Sequence, residues 1–356
     1  MENLTPKDFR FCVAPMMDWT DRHDRYFLRL ISKKARLYTE MITADAIIHG
    51  DKDRLLRFHT AEHPLALQLG GSDPEKLAIA ARVGMDYGYD EINLNVGCPS
   101  DRVQSGRFGA CLMEEPDLVA ACIAAMREAV SDALPVTVKC RIGVDDQEPE
   151  KALFDLVEKT KQAGCRVFIV HARKAWLQGL SPKQNRDIPP LDYELVYRLK
   201  QQHPDLLIVI NGGIDTLAAA QSHLDHVDGV MLGRAAYKTP YILSEVDQLF
   251  YGATHAAVAR EDIVSQLIPY AQDLLADGTP LHALTRHLMG LYQAQPGGRL
   301  WRRHLSENAP KNKAGIEVLH EGLDIMRDIK ARAQAHNTYA AEASSFGLAP
   351  DRKTKI

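Results

Sequence analysis

No uncharged apolar run in the 356-residue chain approaches 18 residues, so nothing in it reads as a membrane span. The amino terminus, Met-Glu-Asn-Leu-Thr-Pro-Lys-Asp, lacks the basic and then apolar layout of a secretory signal. A soluble, unexported protein is the expectation. Cysteine is sparse. Cys12, Cys98, Cys111, Cys122, Cys140 and Cys165 form no C-x-x-C pair and have no histidine at zinc-like spacing, which argues against a disulfide framework and a structural metal. The cytoplasm is the simplest home. Neither sign of charge prevails, since 43 Lys and Arg face 47 Asp and Glu for a net charge of -4, so any nucleic-acid surface must be local. No G-x-G-x-x-G follows the first strand, which weakens a dinucleotide-binding Rossmann reading.

What is present centres on residues 91 to 111. Ile92, Leu94 and Val96 alternate with Asn93 and Asn95, which makes 91 to 96 a strand, and Gly97 with Pro99 ends it abruptly. Cys98 therefore stands just beyond the carboxyl end of a strand. Taken alone, a cysteine is more often a core residue than a reactive one. The following stretch, with Gly106 and Gly109 among polar residues, reads as a mobile glycine-hinged loop.

Strand patterns recur at 11–16, 37–42, 65–70, 91–96, 136–142, 167–172, 207–211 and 229–233. Helical patterns separate them, for example at 73–87, 116–130, 149–163 and 192–203, and Pro74 and Pro116 sit where first helical turns begin. Eight strands alternating with helices predict an α/β fold, a (β/α)8 TIM barrel with a parallel sheet closed on itself. After about residue 250 the strand patterns stop, and apolar residues at helical spacing predict a small helical bundle over 261–275, 281–293 and 315–334. The expected organisation is a barrel over 1–250, a helical domain over 251–336 and a partly disordered tail over 337–356. Within 286–313 the cations Arg286, Arg299, Arg302, Arg303, Lys311 and Lys313 face only Glu307, with Tyr292 and Trp301 interleaved. That composition fits a solvated face and an RNA-tracking surface equally well.

Reading the strand ends gives Pro15, Met16 and Met17, then Gln68, Asn95 and Cys98, Lys139 and Arg141, His171 and Arg173, Asn211, Gly212 and Gly213, and Gly233 with Arg234. Polar groups inside apolar strands are costly unless they meet a ligand or each other. Glycine turns after the seventh and eighth strands of such a barrel commonly make a phosphate pocket. A phosphate there, with the ligand's middle over Lys139, Gln68 and His171 and a flat ring on the methionines, has the shape of flavin mononucleotide.

With these residues in view the chain resembles the tRNA-dihydrouridine synthases. The likeness rests on Ala-Pro-Met-Met-Asp-Trp-Thr-Asp-Arg at 14–22, Leu-Asn-Val-Gly-Cys-Pro-Ser at 94–100, Val-Lys-Cys-Arg-Ile-Gly at 138–143, Val-His-Ala-Arg at 170–173, Asn-Gly-Gly-Ile at 211–214 and Leu-Gly-Arg-Ala at 232–235. Residues 176–188 and the helical tail are most similar to the bacterial A-type enzymes, which act on uridines 20 and 20a of the D-loop. The resemblance implies FMN as cofactor and NADPH as reductant for reduction of a uracil C5–C6 bond in tRNA. It implies Cys98 as proton donor, Lys139 and His171 against the flavin or the base, and Gln68 with the glycine turns holding the cofactor. It implies Asn95 with Arg186 on the uracil, with Gly97 and Lys183 also expected to contact the substrate tRNA; separately, Arg299 and Arg302, three residues apart on one helix face, are expected to meet the tRNA backbone. A monomer without metal is expected. Two other readings stay open on sequence: a dihydroorotate- or dihydropyrimidine-type dehydrogenase acting on a free pyrimidine, and a non-catalytic RNA-binding module on a retained barrel.

Overall fold

The computed structural model describes residues 4–100, 106–131 and 133–345, with side chains to 335. The chain divides into two compact units, Met1–Ala257 and Val258–Ile356.

The first unit contains β1 (Phe11–Val13), β2 (Leu37–Tyr38), β3 (Leu65–Gly70), β4 (Glu91–Val96), β5 (Val136–Arg141), β6 (Val167–His171), β7 (Leu207–Asn211) and β8 (Gly229–Leu232). All pair in parallel, in the order β1-β8-β7-β6-β5-β4-β3-β2. The ring closes where Cys12 bridges Arg36 in parallel, through Val13 N–H to Arg36 O at 2.9 Å and Arg36 N–H to Phe11 O at 2.9 Å. The predicted (β/α)8 barrel is therefore the observed fold. The stretch expected as one strand over 37–42 is broken: Leu37–Tyr38 and a separate Ile42–Thr43 each pair with β3. Between β4 and β5, residues 101–105 of the expected mobile loop lie outside the described residues. The second half of that loop is not mobile in character, because Gly109–Glu114 forms a 3-10 helix with Ala110, Leu112 and Met113 buried.

Parallel strands enclosed by helices bury both faces, and here the two faces differ. Outward residues such as Ile92, Leu94, Val138, Cys140, Phe168 and Ile210 are fully buried apolar groups beneath the helices. Inward residues fall into two sectors. On one side Cys12, Ala66, Val167, Ile169, Val209 and Met231 form an apolar cluster with Phe9 and Tyr38. On the other, Glu91, Asn93, Thr137, Gln68 and Asn95 bring polar atoms into the barrel, all buried. Such groups are tolerated only when hydrogen-bonded, and each of these is.

In the second unit, helices Arg260–Ala276, His282–Thr285, Gly298–Asn308 and Glu317–Ser345 carry the predicted apolar faces, with a 3-10 turn at Leu288–Gly290 interrupting the helix expected over 281–293. The last helix extends beyond the periodicity that ended at 334, to Ser345, and residues 346–356 lie outside the described ones. Trp301 and Tyr292 are core groups. Trp301 is fully buried, donates its indole N–H to Leu288 O at 2.9 Å, and packs on Tyr292 at 4.9 Å between ring centres. The aromatics among the arginines thus hold the bundle together and do not line an RNA surface.

Candidate active site

Strand register assembles the site at the carboxyl ends of the strands. Gln68 on β3 lies opposite Asn93 on β4, Asn95 opposite Lys139 on β5, and Arg141, His171 and Asn211 run side by side across β5, β6 and β7. Because side chains alternate, these residues all face into the barrel.

Cys98 follows β4 on a turn tied down from several sides. Asn95 Oδ1 accepts from the Gly97 and Cys98 amides, both at 3.0 Å, and Cys98 O accepts from the Ala110 amide at 2.9 Å. Its Sγ lies 3.5 Å from Ser100 Oγ and the residue is half-buried. Asn95 was expected to grip the substrate, but its oxygen is engaged by this turn and one N–H goes to Gln68 Oε1 at 3.0 Å. One donor remains for a ligand. Arg141 donates to Gly97 O, Lys174 O and Asn185 O, each at 2.9 Å, and so joins the Cys98 turn to the loop that carries Arg186. Asn185, fully buried, fixes that loop by bonding Trp176 N–H and O and Leu180 O.

The field around the site is positive. Lys139 donates to Asn211 Oδ1 at 3.2 Å, and burial, then Arg141, hold its ammonium down to about 8. Burial pushes His171 well below the usual histidine range, and Arg141, Lys139, Arg173 and Arg186 act in the same direction. At neutral pH it is an uncharged imidazole. Cys98 lies within electrostatic reach of Lys139, Arg141 and Arg186.

The turns after β7 and β8 differ in their demands. Gly212 has φ +119°, and a Cβ there would stand 2.6 Å from His171 Cδ2. Gly213 has φ +67° and faces Leu191 at 2.8 Å, while Tyr193 donates its hydroxyl to Gly212 O at 2.6 Å. Gly233 has ordinary room for a Cβ, with Ala14 and Met16 at 3.7 and 3.8 Å. Arg234 pairs with Asp187 at 2.7 Å. Arg173 donates through Nη1 to Pro189 O, yet its buried Nε has no partner among the described residues. A buried guanidinium N–H without an acceptor, beside a backbone cradle kept clear of Cβ atoms, fits a phosphate.

Of the other expected residues, Pro15 and Met16 are half-buried and Met17 is 52% exposed after β1, whereas Lys183 and Arg186 lie exposed on one short turn after β6. Arg299 and Arg302 belong to the second unit. Sequence reading missed Glu91, Asn93 and Thr137, although Glu91, Asn93 and Asn95 at intervals of two announce a polar inward face.

The fold and this layout define a (β/α)8-barrel enzyme with its chemistry at the carboxyl ends of the strands. The family model of dihydrouridine synthase matches residues 12–330. A tRNA-dihydrouridine(20/20a) synthase of Shewanella oneidensis is 58% identical over 312 residues, covering 88% of this chain and 92% of that protein. Proteins of the same name from Vibrio parahaemolyticus, 58% identical over 88% of this chain and 96% of theirs, and Escherichia coli, 55% identical over 90% and 96%, are similar throughout. A solved complex of 2-naphthoyl-CoA reductase with 2-naphthoyl-CoA superposes with a TM-score of 0.50 at 11% identity over 67% of this chain and 50% of that one, a likeness of fold only. The chain belongs to the dihydrouridine synthase family.

Proposed function

We propose that this protein reduces the C5–C6 bond of uridines 20 and 20a in the D-loop of tRNA to 5,6-dihydrouridine, with FMN as cofactor and NADPH as reductant. The observation that carries the proposal is the fixed Cys98 turn at a cationic barrel mouth, beside a glycine cradle with a buried Arg173 N–H that has no acceptor among the described residues.

In this reading Gly212, Gly213, Arg173 and Arg234 would hold the phosphate end of FMN, and Lys139, Gln68, His171, Met16 and Met17 would hold its ring system. FMN, bound and reduced, would supply the hydride for C6 of the uracil. Charge then grows at C5 and O4. Cys98 gives its thiol proton to C5 as the general acid. Arg186 and Lys139 offset the charge on the oxygens, a contribution that is largest in a site shielded from water. Neutral His171 adds no further cation. The second unit binds the tRNA backbone through Arg299 and Arg302, which offsets the few kcal/mol needed to unstack the target base. The protein is expected to act as a cytoplasmic monomer.

The test is incubation of unmodified tRNA with the purified yellow protein and NADPH, followed by mass mapping. A two-dalton gain at uridines 20 and 20a is expected. Reduction of free uracil or orotate with no change in tRNA would return the dehydrogenase reading.

A further inference from the structure

A chain of hydrogen bonds runs down the polar sector of the barrel from the Cys98 turn. The Gly97 and Cys98 amides donate to Asn95 Oδ1, both at 3.0 Å, and Asn95 Nδ2 donates to Gln68 Oε1 at 3.0 Å. Gln68 Nε2 donates to Asn93 Oδ1 at 2.7 Å, Asn93 Nδ2 to Thr137 Oγ1 at 2.7 Å, and Thr137 Oγ1 to Glu91 Oε1 at 2.5 Å. Glu91 is fully buried, accepts from the Tyr38 hydroxyl at 3.0 Å, and pairs with Arg36 at 3.2 Å.

The direction of this chain is forced at both ends. Backbone N–H groups can only donate, and a carboxylate paired with a guanidinium only accepts. Each amide between must therefore present its oxygen toward Cys98 and its nitrogen toward Glu91. No amide can flip without placing donor against donor at one of its contacts. Two consequences follow. The Cys98 turn is held by an acceptor that cannot rotate away, and Gln68 and Asn95 each keep one N–H, so both offer donors to a ligand above them. Aligned bonds in a low-dielectric interior also reinforce one another.

We infer that Glu91, Thr137 and Asn93 are positioning residues for the reaction: from the floor of the barrel they fix the orientation of Gln68 and Asn95 and thereby the place of the Cys98 thiol. The inference rests on the reading of Cys98 as the proton donor. None of the three is placed against substrate, so their effect passes through Gln68 and Asn95.

The decisive comparison is Thr137→Val, which keeps shape and removes the link, against Thr137→Ser, which keeps the hydroxyl. Three readouts are taken on the full-length, flavin-loaded protein: alkylation of Cys98 by iodoacetamide followed by peptide mass spectrometry, flavin bleaching by NADPH, and reoxidation of the reduced protein by unmodified tRNA. Thr137→Ser should stay within about twofold of the parent in all three. Thr137→Val should alkylate at Cys98 at least about threefold faster, because the turn is freed, and be reoxidised by tRNA roughly ten- to a hundredfold more slowly, the scale of a misplaced reacting group. Its bleaching by NADPH should slow by much less than its reoxidation by tRNA. Equal behaviour of the valine and serine variants overturns the inference, and so does a valine variant whose bleaching slows as much as its reoxidation. If Thr137→Val does not fold, Asn93→Leu cuts the adjacent link and carries the same expectations. Cys98→Ala is run alongside: normal tRNA reoxidation in that variant removes the acid assignment, while the alkylation comparison still decides whether Thr137 holds the turn.

Discussion

Gly212→Ala and Gly213→Ala form a pair whose outcomes the geometry orders. At Gly212 the φ of +119° lies outside the left-handed well that L-residues visit, and holding alanine there costs about 1–3 kcal/mol. The new Cβ would also stand 2.6 Å from His171 Cδ2 and 3.1 Å from Leu191 Cδ2. His171 is walled in by its strand neighbours, so overpacking adds about 1–3 kcal/mol. Together these amount to about 2–6 kcal/mol. Gly213, at φ +67°, sits in the left-handed well, where alanine costs about 1–2 kcal/mol. Its close contact is the end of the Leu191 side chain, which can rotate. Calorimetry of the flavin-free proteins should show a fall in Tm on the order of 10 °C for Gly212→Ala and about 4 °C for Gly213→Ala, at roughly 2–4 °C per kcal/mol for a unit of this size. Flavin content should drop in both, since either methyl narrows the phosphate cradle. The reasoning fails if Gly213→Ala proves the more destabilising, or if Gly212→Ala melts with the parent.

Three further outcomes are expected. Because the Lys139 ammonium is held down to about 8, it is charged below that pH and neutral above it, so kcat/KM for tRNA should fall as pH rises through this value. Lys139→Arg should move the alkaline limb to higher pH, and an unshifted limb would assign it to another group. Alanine at both Arg299 and Arg302 should weaken tRNA binding and flatten the slope of log affinity against log salt by about 0.7 to 0.9 per lost contact, with flavin content unchanged; an unaltered slope removes these residues from tRNA binding. Trp301→Ala should destabilise the helical unit by about 3–5 kcal/mol, visible as protease sensitivity after residue 258, because Trp301 is fully buried. Loss of tRNA affinity with intact protease resistance would instead return the indole to an RNA-contacting role.

The barrel was legible because its strands leave strong marks: outward Ile92, Leu94 and Val96 stay apolar, while turns at Gly97 and Gly212 break the run. The strand-end residues were legible for the same reason, since Lys139 and His171 are conspicuous among valines and isoleucines. Trp301 was not, because an aromatic between arginines gives no sign of which helix face is buried until a neighbour such as Gly322 is seen against it, where a Cβ would come within 2.9 Å of the ring. The split of the 37–42 segment was equally hidden, as Tyr38 and Thr39 have strand propensity whether or not the pairing continues. The role of Asn95 depended on knowing where its oxygen pointed. Composition reveals an amide but not its orientation, which here is set by Glu91, four residues earlier in sequence and linked through three other strand side chains.

The seam of the ring also bears on how the chain is made. Phe11 pairs with Val230 and Val13 with Leu232, so β1 waits some 220 residues for its partner strand. At a synthesis rate of about 5–20 residues per second, that wait lasts on the order of ten to forty seconds on the ribosome. Throughout it, the Phe11-Cys12-Val13 edge has only the neighbouring Arg36 segment to cover it. The edge can therefore gain its second paired strand only once residue 232 has left the exit tunnel.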